Sequence, residues 1–173
     1  MRGQYGFNLL ELMVTMAVIG VVVAMGAPSM VDFIKDMRLT AATNDVLGFF
    51  QYARSEATKR SSQVKLCISS DLAACSTSGT NWGVGALAFV DSNNNHQVDA
   101  GETVLRVLDP MTPNGITVVA TTAFASGYYF FYRPSGAANS VGTLRVCSTG
   151  RRARDISVNT IGRPISQATT VTC

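Results

Sequence analysis

One carboxylate, Glu11, stands alone in the run Phe7 to Val31, 25 residues with no other charged side chain. Near the centre of a membrane helix an ionised carboxylate costs roughly 2.5–3.5 kcal/mol, so such a residue points to a function and needs a cation. The run itself holds no Lys, Arg or His. Removal of the leader after Gly6 would create an α-amine on Phe7, four residues before Glu11. On a helix that is one turn, so the two charges can meet within one chain or between chains packed side by side. The chemistry expected of Glu11 is assembly.

The stretch DSNNNHQVDAGE, Asp91 to Glu102, carries oxygen ligands at alternating positions. Asp91, Asn93, Asn95, Asp99 and Glu102 occupy positions 1, 3, 5, 9 and 12 of a calcium loop, with the Gln97 carbonyl at position 7. His96 stands where the sharp turn favours Gly, and the flanks read as strands, not helices. The competing reading is an Asn-rich hairpin loop held by its own side chains, with His96 exposed. No cofactor is required on either reading, and the first of them adds a calcium ion.

Arg145, Arg151, Arg152, Arg154 and Arg163 fall within nineteen residues, with Asp155 the only acid among them. Guanidinium groups stay charged and match phosphate bidentately, so this cluster is a candidate DNA surface. A solvated basic hairpin, or one that meets a neighbouring subunit, is the alternative. The four cysteines, Cys67, Cys75, Cys147 and Cys173, lack metal or redox spacing. Three connectivities are open to them, of which Cys67 with Cys75 and Cys147 with Cys173 is the most economical. Disulfides imply an oxidising compartment; buried thiols are the other reading. There is no nucleophile motif with a histidine to serve it, and Gly83 to Gly85 precedes a strand, so no enzyme is expected.

The elements that position these groups follow from periodicity. Over the 173 residues, 47% are hydrophobic and 14% charged, against about 25% charged in an average soluble chain. Much of the apolar excess lies in residues 7–31, long enough as a helix to span the roughly 30 Å hydrocarbon core. A plain anchor or a secretory signal cut near Ala24-Met25-Gly26 competes with this reading. Gly26, Ala27 and Pro28 predict a bend or melted turn. Beyond it Leu39, Ala42, Val46, Phe49, Ala53 and Ala57 recur at helical steps, giving one apolar face over residues 32–60. From residue 61 the period becomes two. Strands are expected at Val64 to Ile68, Trp82 to Val90, Thr103 to Leu108, Ile116 to Ala120, Tyr128 to Tyr132, Leu144 to Cys147 and Asp155 to Val158. The fold class is α+β, a long N-terminal helix packed on a mostly antiparallel sheet in the globular part, residues 61–173.

These residues carry a family resemblance. A short leader, residues 1–6, ending in Gly6, then Phe7-Asn8-Leu9-Leu10-Glu11-Leu12, an apolar run and Pro28, resembles the N-terminus of type IV pilins and type II secretion pseudopilins. The helix segment FFQYARSEA, Phe49 to Ala57, resembles that of minor pilins of the GspH, FimT and FimU class. The resemblance implies cleavage between Gly6 and Phe7 by a prepilin peptidase, N-methylation of Phe7, and registration of Glu11 on a neighbouring subunit. It implies other pilin or pseudopilin subunits and inner-membrane lipid as partners, with a single inner-membrane pass and a periplasmic C-terminal domain. The arginine region is similar to that of DNA-binding minor pilins of natural transformation, whose pattern is Gly-Arg-x-Arg. Gly150-Arg151-Arg152-Ala153-Arg154 has one residue more than that pattern and Gly162-Arg163-Pro164-Ile165 lacks its second arginine.

Overall fold

A computed structural model describes residues 8–122, 124 and 127–173, with the backbone alone for residues 26–28. The chain forms two compact units, Met1–Asp36 and Met37–Cys173. Helix α1 is Leu9–Arg60. Asn8 caps it: the Asn8 side chain accepts from the Leu10 N–H at 3.4 Å, and the Asn8 carbonyl accepts from Glu11 and Leu12. Lys59 and Arg60 stand in the last turn, where cations meet the negative end of the helix dipole. Ser61, at φ 50°, takes the left-handed conformation that ends it. No melted turn interrupts the helix at Gly26 to Pro28. Pro28 removes one donor, and in a helix this long the turns on both sides keep theirs.

Among the described residues eight strands follow in two four-stranded sheets, where the sequence suggested one. The first sheet has the order β3-β2-β1-β5, built from β1 (Val64–Ile68), β2 (Ala86–Val90), β3 (Val104–Leu108) and β5 (Tyr129–Tyr132). The second has the order β4-β6-β7-β8, from β4 (Ile116–Thr122), β6 (Gly142–Ser148), β7 (Arg152–Val158) and β8 (Pro164–Thr172). Every pairing is antiparallel. Trp82–Val84 forms a 3₁₀ turn capped by the Asn81 side chain, so the strand expected from Trp82 starts at Ala86 instead. Gly85 forces the change, since its φ of 124° is closed to other residues and a Cβ there would lie 2.6 Å from the Ser69 carbonyl.

The apolar face read from the sequence is the face that packs. Leu39, Ala42, Val46, Phe49, Ala53 and Ala57 are all buried in one core with Leu66, Ala88, Val118, Leu144 and Ile156 from both sheets. Phe50 joins them, with ring centroids 5.8 Å from Trp82, 6.1 Å from Phe124 and 5.4 Å from Phe130. Arg54 is also drawn in: its Nε donates to the Gly136 carbonyl at 3.0 Å and its Nη2 to the Ile161 carbonyl at 2.8 Å. The two turns so tied touch at Gly162, where a Cβ would fall 2.1 Å from the Gly136 carbonyl oxygen.

The reverse face of the first sheet is covered too. Cys67, Cys75, Leu87 and Phe89 form a second small core beneath the loops that follow β1 and β2. Lys65 and Cys67, which alternation assigned to an open face, are therefore buried. Cys67 is bonded to Cys75, and Cys147 to Cys173 with Cα atoms 5.6 Å apart. Cross-links of this kind contribute about 2–4 kcal/mol each by restricting the unfolded chain. Inside the first loop the Asp71 carboxylate accepts from the N–H groups of Ala73 and Ala74 and from the Ser69 hydroxyl. The Ala74 and Ala73 bonds, then Ser69, hold its pKa down at about 2.

A carboxylate with a lowered folded pKa adds stability above its unfolded pKa of about 3.9 and loses it as pH falls through the folded value. The Asp71 contribution is thus expected to be complete at pH 5 and to vanish between about pH 4 and 2. Melting temperature followed against pH for the full chain should fall less steeply over that interval in Asp71→Asn than in the natural chain.

Candidate functional site

The first candidate centres on Glu11, in the opening turn of α1. There the carboxylate meets the positive end of the helix dipole. Leu9 to Met25 are exposed along the whole segment, and α1 is long and apolar enough to cross a membrane. Gly6 and Phe7, the expected cleavage pair, lie outside the described residues.

The second candidate, the loop Asp91 to Glu102, joins β2 to β3 and is closed by its own groups. Asn93 and Asn95 donate their amide N–H groups to Asp99 at 2.8 and 2.6 Å, while Glu102 accepts from the N–H of Ser92 and of Asp99. The Asn93 and Asn95 side-chain oxygens accept from the N–H groups of Asn95 and Gln97. Asp91 is taken up differently. Its carboxylate accepts from the N–H groups of Asn94 and His96 and from Lys65 Nζ at 2.5 Å.

Both members of that ion pair are buried: the side chains of Lys65 and Asp91 are 1% and 0% exposed. Burial works to raise the Asp91 carboxyl, and the Lys65 hydrogen bond, the His96 N–H and the Lys65 charge outweigh it, so it lies below the usual carboxylate range. Lys65 Nζ also contacts His96 Nδ1 and sits over the Phe131 ring at 5.6 Å. His96 is not a free loop residue. Its ring lies 4.3 Å from that of Tyr129, and its backbone takes φ 70° to turn the side chain inward. Oxygen atoms of these types suit a hard cation. Here Lys65 already neutralises position 1, and among the described residues no group of three His, Cys, Asp or Glu is disposed to hold a metal.

The five arginines do not share one surface. Arg145 binds Asp155 bidentately, with both bonds at 2.8 Å, and that hydrogen bond raises its pKa further. Arg151 lies in the turn before β7, Arg152 opens the strand opposite Thr172, and Arg154 stands opposite Val146 and Ala168. Arg163 sits past the other end of β7, where the Asn159 and Arg163 backbones close the hairpin. At about 3.3 Å per residue the length of β7 separates it from Arg152 by roughly 20 Å.

Residues 42–162 match the family described as Type II transport protein GspH. The chain belongs to the GspH family. Residues 1–27 match the prokaryotic N-terminal methylation motif, which contains Gly6, Phe7 and Glu11. No curated protein matches the chain. Among solved structures, the type IV minor pilin FimU of Pseudomonas aeruginosa is similar at 20% identity and a TM-score of 0.62, covering 80% of this chain and 97% of that one. A second crystal form of FimU gives a TM-score of 0.57 at 20% identity, over 76% and 97% of the two chains. The minor pseudopilin EpsH of the Vibrio cholerae type 2 secretion system gives 0.44 at 10% identity, over 75% and 94%. The fold of this GspH-family chain is thus the pilin-like α+β fold that its sequence suggested, and its apolar N-terminal helix fits a membrane-anchored subunit.

The buried Lys65–Asp91 pair is a site that periodicity hid. In Lys65→Met the Asp91 carboxylate is left buried without its cation, an expected loss of about 3–5 kcal/mol. Adding Asp91→Asn should restore part of it, because removing both charges is far cheaper than removing one. Denaturant unfolding of the single variants and the double variant measures the coupling; additive losses would contradict it.

Proposed function

We propose that this chain is a minor subunit of a type IV pilus or a type II secretion pseudopilus. Residues 7 to 31 hold it in the inner membrane and join it to the fibre, and residues 61–173 form a head in the periplasm or at the fibre tip. A prepilin peptidase cuts between Gly6 and Phe7, Phe7 is methylated, and Glu11 docks on the α-amine of a neighbouring subunit. The observation that carries this reading is Glu11 itself: a single carboxylate in the first turn of an exposed apolar helix, within a methylation motif. The role is structural and not enzymatic.

The test is direct. Mass spectrometry of the mature chain is expected to find an N-methylated Phe7 at the start; a chain beginning near Ala27 would make it a secreted protein and end the proposal. Glu11→Ala should still insert, since it removes a charge costing roughly 2.5–3.5 kcal/mol in the membrane. Its share in sheared fibres should fall at least about tenfold, because each 1.4 kcal/mol of lost docking energy is tenfold. Normal incorporation would refute the docking role.

A DNA receptor carried on the same fibre is the other reading of the arginines. It gains little from the geometry, with Arg145 held by Asp155 and Arg163 at the far end of the hairpin. Arg151, Arg152 and Arg154 are then too few for a continuous phosphate track.

For the loop Asp91 to Glu102 the same proposal assigns no required metal, with Lys65 as its cation. Millimolar calcium is expected to leave the melting temperature of the full chain unchanged. A calcium-dependent rise that disappears in Asp91→Ala would instead establish the calcium site.

A further inference from the structure

The two sheets have four outer edges, and an exposed edge invites pairing with another chain unless it is blocked. Three of them are blocked. The β3 edge is only five residues long, is charged by Arg106, which donates to the Gly48 carbonyl, and has its Leu105 carbonyl taken by the Tyr52 hydroxyl of α1. At β4 the Ala120 N–H reaches the Thr80 carbonyl and the Val118 N–H reaches Asn81 Oδ1. At β5 the chain folds back, with Arg133 bonded to Ala137 and Phe131 to Asn139 on both its N–H and its carbonyl.

β8 differs. It is nine residues long, PISQATTVT, with no charged side chain and no proline after its first residue. It lies at the end of its sheet, and among the described residues its backbone pairs toward β7 and the turn before β7. The Val171 N–H turns back to Thr169 Oγ1 beside a register shift, so the open edge is residues 164–168. The Asn159 N–H donates to the Arg163 carbonyl, which fixes the alternation. Opposite Val158, Ile156 and Arg154, the residues Pro164, Ser166 and Ala168 aim their backbone groups away from β7. Beside this edge runs a groove of about 660 Å³, lined by Gln51, Arg54 and Thr58 of α1 and by Arg163 and Ser166.

We propose that this edge and groove receive an extended segment of a different pilin-type subunit, which adds a strand to β8 by main-chain hydrogen bonds and brings acidic residues to its ends. Charge selects this occupant. The lining contains Arg54 and Arg163 and no acid. Self-pairing is disfavoured, because β8 itself carries no carboxylate to meet Arg54 and Arg163. The inference rests on the fibre reading above, since only a fibre presents such a neighbour in fixed register. It adds to that reading a contact made by the head.

The test uses the full chain in cells that make the fibre, with photoreactive benzoylphenylalanine replacing Gln167. Cross-linking to a strand of another subunit is expected. An adduct with β8 of a second copy, an adduct with DNA, or no adduct would each overturn the proposal. Ser166→Pro removes an outward N–H and leaves the bonds to β7, so melting temperature should hold while the adduct falls about tenfold; each tenfold is 1.4 kcal/mol. Arg163→Glu, on an exposed side chain, should lower it likewise without touching the strand. If the natural chain is absent from the fibre, the fibre reading itself fails. If it is present and both variants cross-link as it does, the edge proposal alone fails.

Discussion

The head is organised around one aromatic ring. Phe50 projects from α1 between the sheets and meets Trp82 from the 3₁₀ turn, Phe124 from the segment after β4, and Phe130 from β5. Burying a ring of this size is worth about 1.5–3 kcal/mol, and tilted aromatic pairs add about 0.5–1.5 kcal/mol each. The geometric consequence matters more. A helix touching one strand could slide along it, whereas Phe50 is held at once by the turn between β1 and β2, the segment between β4 and β5, and β5 itself. The aromatic cluster therefore sets the axial position of α1 in the head, and with it the level at which Arg54 can bridge the Gly136 and Ile161 carbonyls.

Much of this was legible in the sequence because helical and strand periods respond to burial on a single face. The α1 face from Leu39 to Ala57 has one core to meet, and every expected position is buried. The same rule failed at β1. Alternation marks Lys65 and Cys67 as open to solvent, but two loops roof the strand, and all five of its residues are buried. A roof built from residues 69–80 and 91–102 leaves no periodic trace in the strand it covers. Lys65 shows what it leaves instead, a charge whose partner, Asp91, is distant in sequence and adjacent in space.

β8 was illegible for the opposite reason. Its sequence holds Ile165 and Val171 among Ser, Gln and Thr, with no alternation, because between its ends only Thr169 is even half-buried. A strand stabilised on one side by backbone bonds has little need for side-chain patterning. The arginines misled in a related way. Nearness in sequence suggested one cluster, but a hairpin separates what lies on either side of a strand, and antiparallel register placed Asp155 directly opposite Arg145. At the N-terminus Glu11 stands out by residue type alone, since it is the only charge in its segment and needs no tertiary context to be noticed.

The proposed contacts at the two ends of the chain divide along a physical line. In the segment around Glu11 most exposed side chains are apolar and the backbone bonds are satisfied within the helix, so specificity can reside in a single charge whose partner must come from another residue or chain. The head faces water, where an exposed ion pair is worth only about 0–1 kcal/mol and a single charge cannot fix a register. Main-chain pairing can, because a one-residue slip along a strand reverses every side chain. On the fibre reading proposed above, a subunit that enters a membrane bundle and takes one orientation in a fibre is served by a carboxylate in the first setting and by an open strand edge in the second.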